Sequence, residues 1–171
     1  MRTLFLVCPT DNLELPVRKA FDGDIYFHTA LGVHFEFELN MQLELWQFIE
    51  AHCIDRVSFI TSIQNVFYRR GPDHQEKQRN QSLGQVLDRL RETIFEAEVS
   101  AVSWFPYIQR IALKHLENEQ RRLLSTEYLG SQLINANIDV NAYLFRPQKE
   151  IFHSLEEMNQ QAHLLSYASL N

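Results

Sequence analysis

The first sixty residues alternate short apolar runs with amphipathic segments, and this order constrains the fold more than any single motif does. Residues 3–8 form an apolar run that is closed by a turn at residues 9–11, as expected of a strand buried on both faces. A short helix capped by Asp11 or Asn12 should follow the turn. Residues 25–28 then have the pattern of a second strand.

A longer helix and a third strand complete this pattern. Residues 41–52 carry apolar side chains at helical spacing, and residues 57–60 are another apolar run. Strand, helix, strand, helix and strand in succession predict an open parallel sheet with helices on its faces. We therefore expect a three-layer α/β fold with a mainly parallel sheet of four or five strands.

The remainder of the chain predicts one exposed loop and further helices around a fourth strand. The polar stretch at residues 69–82 has no large apolar side chain that would anchor it in a core, so it should be an exposed loop. Pro147 is suited to the first turn of a C-terminal helix, which we expect to reach about residue 163 within the C-terminal segment 147–171. The other predicted elements are helices at residues 83–98 and 107–125 and a strand at residues 138–144.

Composition indicates a soluble globular chain and limits its partners. At 171 residues, of which 45% are hydrophobic, residues 1–171 fit a single domain that needs no disulfide. The net charge of −6 disfavours nucleic acid as a partner. The apolar run near the N-terminus is too short for a signal peptide or a membrane span. With Cys8 and Cys53 far apart in sequence, we expect a cytoplasmic protein without membrane association.

The turns after the first and third strands predict a ligand site. If the strand order is 2-1-3-4, the order reverses between strands 1 and 3, and ligands of open α/β sheets bind at such a point. His28 ends the second strand at the same edge of the sheet. No glycine-rich nucleotide motif accompanies these turns, so a small polar or anionic ligand is expected. The candidate ligand-binding residues are Cys8, Thr10, Asp11, His28, Thr61, Ser62 and Gln64.

Several segments, in their order, resemble the β-class carbonic anhydrases. Residues 5–11, Phe-Leu-Val-Cys-Pro-Thr-Asp, resemble the strand of that family that ends in Cys-x-Asp-x-Arg. Gly23-Asp24 and Gly32 resemble its Gly-Asp strand and the glycine eight residues beyond the aspartate. Residues 60–65, Ile-Thr-Ser-Ile-Gln-Asn, resemble the strand end that carries His-x-x-Cys in the family. The resemblance implies the β-carbonic anhydrase fold and a homodimer.

The resemblance also implies that the zinc site of the family has been lost. Cys8 matches the first cysteine ligand, while Thr10, or Asp11 after a turn one residue longer, stands at the aspartate position and Asn12 near the arginine. Thr61 or Ser62 stands at the histidine position, and Gln64 or Asn65 at the second cysteine. Zinc requires three or four nitrogen, thiolate or carboxylate ligands, which this set does not supply. We therefore expect no metal, no cofactor and no carbonic anhydrase activity, in a small-ligand-binding or interaction protein.

Two alternatives retain a chemical role for Cys8. One is a metalloenzyme with an atypical set of ligands formed by Cys8, His28 and Asp11. The other is a thiol-dependent enzyme in which Cys8 is the nucleophile and His28 or Asp11 assists it. His52 and Cys53 precede the third strand and therefore belong to the opposite edge of the sheet, too far from Cys8 to contribute.

Overall fold

The computed structural model describes residues 1–69, 85–86, 88–89 and 107–160. Its strands are β1 (Arg2–Val7), β2 (Asp24–Thr29), β3 (Arg56–Ser62), β4 (Asp139–Arg146) and β5 (Ile151–Ser154). Its α-helices are α1 (Glu14–Ala20), α2 (Leu39–Ala51), α3 (Val66–Arg69), α4 (Tyr107–Leu124) and α5 (Leu129–Asn135). Single 3₁₀ turns lie at Pro9–Asp11 and Leu31–Val33.

Within these residues the strands form one five-stranded sheet in the order β2-β1-β3-β4-β5. The pairs β1–β2, β1–β3 and β3–β4 are parallel, whereas β5 runs antiparallel to β4. The predicted order of the first four strands is therefore confirmed, and β1 has neighbours on both sides. This central position explains the uninterrupted apolar sequence of β1.

Alternate residues of the central strands face two separate cores. Leu4 and Leu6 of β1 join the larger core, to which α2, α4 and α5 contribute. Phe5 and Val7 face the other side, where they pack with Val17 of α1. Because helices cover both faces of the sheet, the predicted three-layer α/β architecture is confirmed.

The predicted C-terminal helix is wrong in its first part. Residues 147–150 form a turn, Ile151–Ser154 is the edge strand β5, and helical structure begins only at residue 155. Phe152 packs against Phe145 and Phe21, with ring centroids 4.6 and 5.2 Å away, respectively. These aromatic contacts and the pairing with β4 outweigh the local preference for a helix after Pro147.

Two predicted segments fall outside the described residues in whole or in part. The expected loop at 69–82 overlaps them only at Arg69, which ends α3, and the helix at 83–98 only at residues 85–86 and 88–89, which are helical. The helix predicted at 107–125 corresponds closely to α4. Among the described helices, none has the length and hydropathy needed to span a lipid bilayer.

Gly23, in the turn between α1 and β2, has a backbone conformation and a close backbone contact that should tolerate no larger residue. Its φ is +101°, and a Cβ at this position would lie 2.0 Å from the carbonyl oxygen of Met1. That oxygen accepts a hydrogen bond from the Asp24 amide at 3.1 Å. We expect Gly23→Ala to lower the free energy of unfolding by about 1–3 kcal/mol, as measured by urea denaturation. The exposed neighbour Asp22 supplies the control, because Asp22→Ala should change the free energy of unfolding by less than about 0.5 kcal/mol. Equal effects of the two substitutions would contradict this role of Gly23.

Candidate functional site

The candidate site lies at the carboxyl edge of the sheet, between β1 and β3. Chain connections leave β1 towards β2 on one side, whereas β3 lies on its other side, so the strand order reverses here. Cys8 directly follows β1, and Thr61 and Ser62 end β3. The structure therefore brings these residues to the predicted switch point of the sheet.

Cys8 is a buried, hydrogen-bonded thiol. Its side chain is 1% exposed, and its Sγ accepts a hydrogen bond from the Gly32 amide at 3.1 Å. The Thr10 hydroxyl lies 3.0 Å from the same sulfur. Gly32 has a φ of +64°, a conformation that glycine adopts without steric cost. The turn after β2 is thereby fixed against the end of β1.

Asp11 connects the turn after β1 to the end of β3. Its Oδ2 accepts hydrogen bonds from the Thr61 hydroxyl at 3.1 Å and the Ser62 amide at 2.9 Å. The Asn65 side chain donates in turn to the Thr61 hydroxyl at 3.4 Å. Burial raises the pKa of Asp11, and the hydrogen bonds from Ser62, Asn65 and Thr61 oppose that rise. Asp11 and Thr61 thus share one hydrogen-bonded cluster.

Ser62 and Gln64 shape the turn that leads into α3. The Gln64 amide donates to the Ser62 hydroxyl at 3.1 Å, and the Phe67 amide donates to Asn65 Oδ1 at 2.9 Å. The Gln64 residue is exposed, whereas Thr61, Ser62 and Asn65 are buried. Asn65 therefore has a larger part in the site than Gln64, although it was not among the predicted ligand-binding residues.

His28 does not join this cluster. Its ring stacks on Phe35, with 5.5 Å between ring centroids, and burial lowers its pKa. The described residues contain no group of three or more His, Cys, Asp or Glu side chains arranged to hold a metal ion. The alternative metal set of Cys8, His28 and Asp11 is therefore not assembled in this part of the chain.

The donors at the positions of the family's zinc ligands do not fit zinc. Thr61 directs its hydroxyl to Asp11, and Asn65 uses both ends of its amide within the turn. Ser62 offers only a hydroxyl, which is engaged by the Gln64 amide. Zinc prefers imidazole, thiolate and carboxylate ligands, and among these positions only Cys8 and Asp11 provide any.

Sequence reasoning missed Tyr68 of α3. Its side chain is 3% exposed, and its hydroxyl lies beside the Thr61 side chain. Burial raises the pKa of Tyr68 well above its usual range. A hydrogen bond with the Thr61 side chain opposes this rise, while Asp11, Cys8 and Glu119 add to it electrostatically. Nothing in the short α3 sequence signalled this placement, because four residues establish no periodicity.

His115 of α4 connects this site to a buried charge network. Its Nε2 donates to the Gly32 carbonyl at 2.8 Å, so Nδ1 is the unprotonated nitrogen of the neutral ring. His115 lies on the buried face of α4 and is fully buried. The Gly32 carbonyl therefore accepts a hydrogen bond from His115, and the Gly32 amide donates one to Cys8 Sγ.

Glu119 and Arg122 fix the segment after β2 to α4. Glu119 Oε1 lies 2.8 Å from His34 Nδ1, and Arg122 donates to both Glu119 oxygens at 2.7 and 3.0 Å. Arg122 also donates to the Phe35 carbonyl at 3.0 Å. Burial alone would raise the pKa of Glu119, but the His34 hydrogen bond and the charges of His115, His34 and Arg122 bring it below its usual value. Polar residues spaced four and three apart on an otherwise apolar helix face were the available signal.

His115 should make the protein sensitive to acid. Burial lowers its pKa, although Glu119 and the Gly32 carbonyl act in the opposite direction. The unfolded chain therefore binds this proton more readily, so stability falls as the pH drops below about 6.5. In His115→Gln, which keeps an amide donor for Gly32, we expect the decrease in unfolding free energy between pH 7 and pH 5 to be smaller, by up to about 1.4 kcal/mol per pH unit.

Urea denaturation of both proteins across this pH range measures the difference. Near pH 8 the histidine is neutral in the folded and the unfolded state, so the variant should show the same pH dependence as the original protein there. An unchanged slope between pH 7 and pH 5 would show that another group determines the acid sensitivity.

Solved structures provide the comparison with known proteins. No protein-family model matches the chain, and no curated protein matches its sequence. The β-carbonic anhydrase CafD of Aspergillus fumigatus is 13% identical, with a TM-score of 0.72 over 90% of this chain and 88% of that one. CafA of the same fungus is 15% identical, with a TM-score of 0.69 over 96% and 82%.

A third structure extends this likeness to another fungus. A tetrameric β-carbonic anhydrase of Sordaria macrospora is 12% identical, with a TM-score of 0.70 over 90% of this chain and 80% of that one. These TM-scores establish a shared architecture, and the low identities agree with the divergence at the zinc-ligand positions. The chain therefore has the fold of the β-carbonic anhydrases, as its sequence pattern predicted.

Proposed function

We propose that this chain is a non-catalytic protein with a β-carbonic anhydrase fold, which binds a small polar ligand or a partner protein in place of zinc. The hydrogen-bonded cluster of Asp11, Thr61, Ser62 and Asn65 carries this proposal. It occupies the positions at which the resemblance places the zinc ligands, and its members are hydrogen-bonded to one another.

The donor chemistry of these positions argues against hydration of carbon dioxide. Zinc catalysis depends on a metal that lowers the pKa of its bound water to about 7. A single thiolate and a carboxylate already engaged by the end of β3 do not supply the three or four ligands that such a zinc ion needs. The residues that replaced the ligands are neutral hydrogen-bonding groups, which suit a polar ligand.

The proposal also includes self-association of the chain and a location in the reducing cytoplasm. The tetrameric state named for the Sordaria protein supports a homo-oligomer, of which the dimer is the simplest form. Cys8 and Cys53 are both free thiols, which favours the cytoplasm.

Metal content tests the proposal directly. We expect near-zero zinc per chain in the purified, untagged protein by elemental analysis, and no change in Cys8→Ser. The rate of carbon dioxide hydration should equal the uncatalysed rate, with an active β-carbonic anhydrase measured alongside as the positive control. About one zinc per chain, lost in Cys8→Ser, would refute the proposal.

The accessibility of Cys8 tests the thiol-enzyme alternative. A nucleophile must be reached by its substrate, yet Cys8 is 1% exposed, whereas Cys53 is exposed and serves as an internal control. We expect a thiol reagent to label Cys53 quickly in the folded protein and Cys8 only after denaturation. Mass spectrometry of the Cys53→Ser variant isolates the reaction at Cys8. Labelling of Cys8 at the rate of Cys53 would favour the thiol enzyme.

A further inference from the structure

A cleft of about 840 Å³ lies along the outer edge of β4 and shares no lining residue with the site between β1 and β3. The pairing of β4 with β5 begins only at Tyr143. Residues 139–142, the first half of β4, therefore have no neighbouring strand on this side among the described residues. The volume is in the range of ligand sites in proteins. A strand edge without a partner, beside a cleft of this size, is a template for one more strand.

The backbone of this half-strand directs hydrogen-bonding groups towards the cleft. The Phe145 carbonyl points to β3, because it accepts a hydrogen bond from the Ile63 amide at 3.1 Å. Backbone groups alternate in direction along a strand, so those of Val140 and Ala142 point the opposite way, to the outer edge. Gln120 of α4 agrees with this direction, since its side-chain amide donates to the Val140 carbonyl at 2.7 Å. A side chain thus makes one of the hydrogen bonds that a further strand would make.

The cleft has walls on both faces of the sheet. Phe21 lines it from the face of the core that contains Phe5 and Val7, and its ring centroid is 5.3 Å from that of Tyr143. Leu155 lines it from the face of the larger core. An extended peptide directs successive side chains to opposite faces of a sheet, so it can contact both walls at once.

The charged side chains that line the cleft are acidic. They are Glu150, Glu156 and Glu157, which are all exposed, and the described lining residues include no Lys, Arg or His. Glu157 also accepts a hydrogen bond from the Ser154 amide at 3.2 Å. Such a lining attracts a basic partner and repels an acidic one. A second copy of the chain, with its net charge of −6, is therefore disfavoured as the occupant.

From this arrangement we propose that the outer edge of β4 binds a short basic segment of a partner protein as an additional strand. The segment lies extended beside residues 139–142, where its carbonyl groups accept hydrogen bonds from the amides of Val140 and Ala142. Four residues of strand are about 13 Å long, so a segment of four or five residues covers this edge. Its basic side chains lie close to Glu150 and Glu156. The proposal does not depend on whether the site at Cys8 holds a metal.

A matched pair of peptides tests the class of partner. The basic peptide acetyl-Lys-Val-Lys-Val-Lys-amide and its counterpart with Glu in place of Lys are each titrated into the ¹⁵N-labelled protein at pH 7 and constant ionic strength. The amides of Val140 and Ala142 are the NMR reporters, because both residues line the cleft. We expect the basic peptide to shift these signals saturably and the acidic one to leave them unchanged. Equal binding of the acidic peptide would overturn the proposal, and so would the absence of a saturable shift with the basic one.

A third peptide separates strand pairing from attraction between charges. It carries the same basic side chains but is N-methylated at every backbone amide, so it cannot lie against β4 as a strand. We expect it to cause no saturable shift, and binding equal to that of the unmethylated peptide would overturn strand addition. Val140 and Ala142 signals that move with protein concentration in the absence of peptide would assign the edge to a second copy of the chain, which would also overturn the proposal.

Matched variants test the acidic lining of the cleft. Glu156 is exposed, so Glu156→Gln should fold normally and bind the basic peptide roughly two- to fivefold more weakly. Glu44→Gln makes the same change at an exposed position of α2 that does not line the cleft, and it should bind like the original protein. Equal affinity of the two variants for the basic peptide would overturn the assignment of the basic segment to this cleft.

Discussion

Gly32 joins the two halves of the candidate site through both of its backbone hydrogen-bonding groups. Its amide donates to Cys8 Sγ at the end of β1, while its carbonyl accepts from His115 of α4. The φ of +64° that directs these groups in opposite ways is inexpensive only for glycine. The position of the thiol relative to the helix therefore depends on one residue in a turn, and the surrounding network fixes that turn.

The buried charges of α4 provide this fixation. Glu119 is fully buried, and it is compensated by His34 and Arg122 at hydrogen-bonding distance. Removing Arg122, whose side chain is partly exposed, would leave the buried Glu119 carboxylate with fewer hydrogen-bond donors, which commonly costs about 1–3 kcal/mol. The same cost keeps the segment from Leu31 to Phe35 in one conformation, so the Gly32 peptide remains oriented between Cys8 and His115.

The sequence predicted what periodicity and burial determine. The apolar runs of β1 and β3 and the amphipathic pattern of α4 predicted those elements to within a few residues, and hence the strand order 2-1-3-4. The meeting of Cys8, Asp11 and Thr61 followed from that order. β5 was missed because its partner strand and the contact between Phe152 and Phe21 come from tertiary structure. Tyr68 and Glu119 could not be assigned to the site, since the neighbours that place them there, such as Cys8 and Asp11 for Tyr68 and His34 for Glu119, lie more than fifty residues away in sequence.

The side chains at the positions where the resemblance places the zinc ligands make hydrogen bonds with one another and with the backbone. The groups that the structure describes around the Asp11 carboxylate are a hydroxyl, a side-chain amide and a backbone N–H. Burial raises the pKa of Asp11, and its carboxylate accepts hydrogen bonds from the end of β3. Tyr68 likewise remains protonated, because burial and its acidic neighbours raise its pKa. Hydrogen-bond geometry therefore holds this edge of the sheet together, with the Asp11 carboxylate joined to the end of β3.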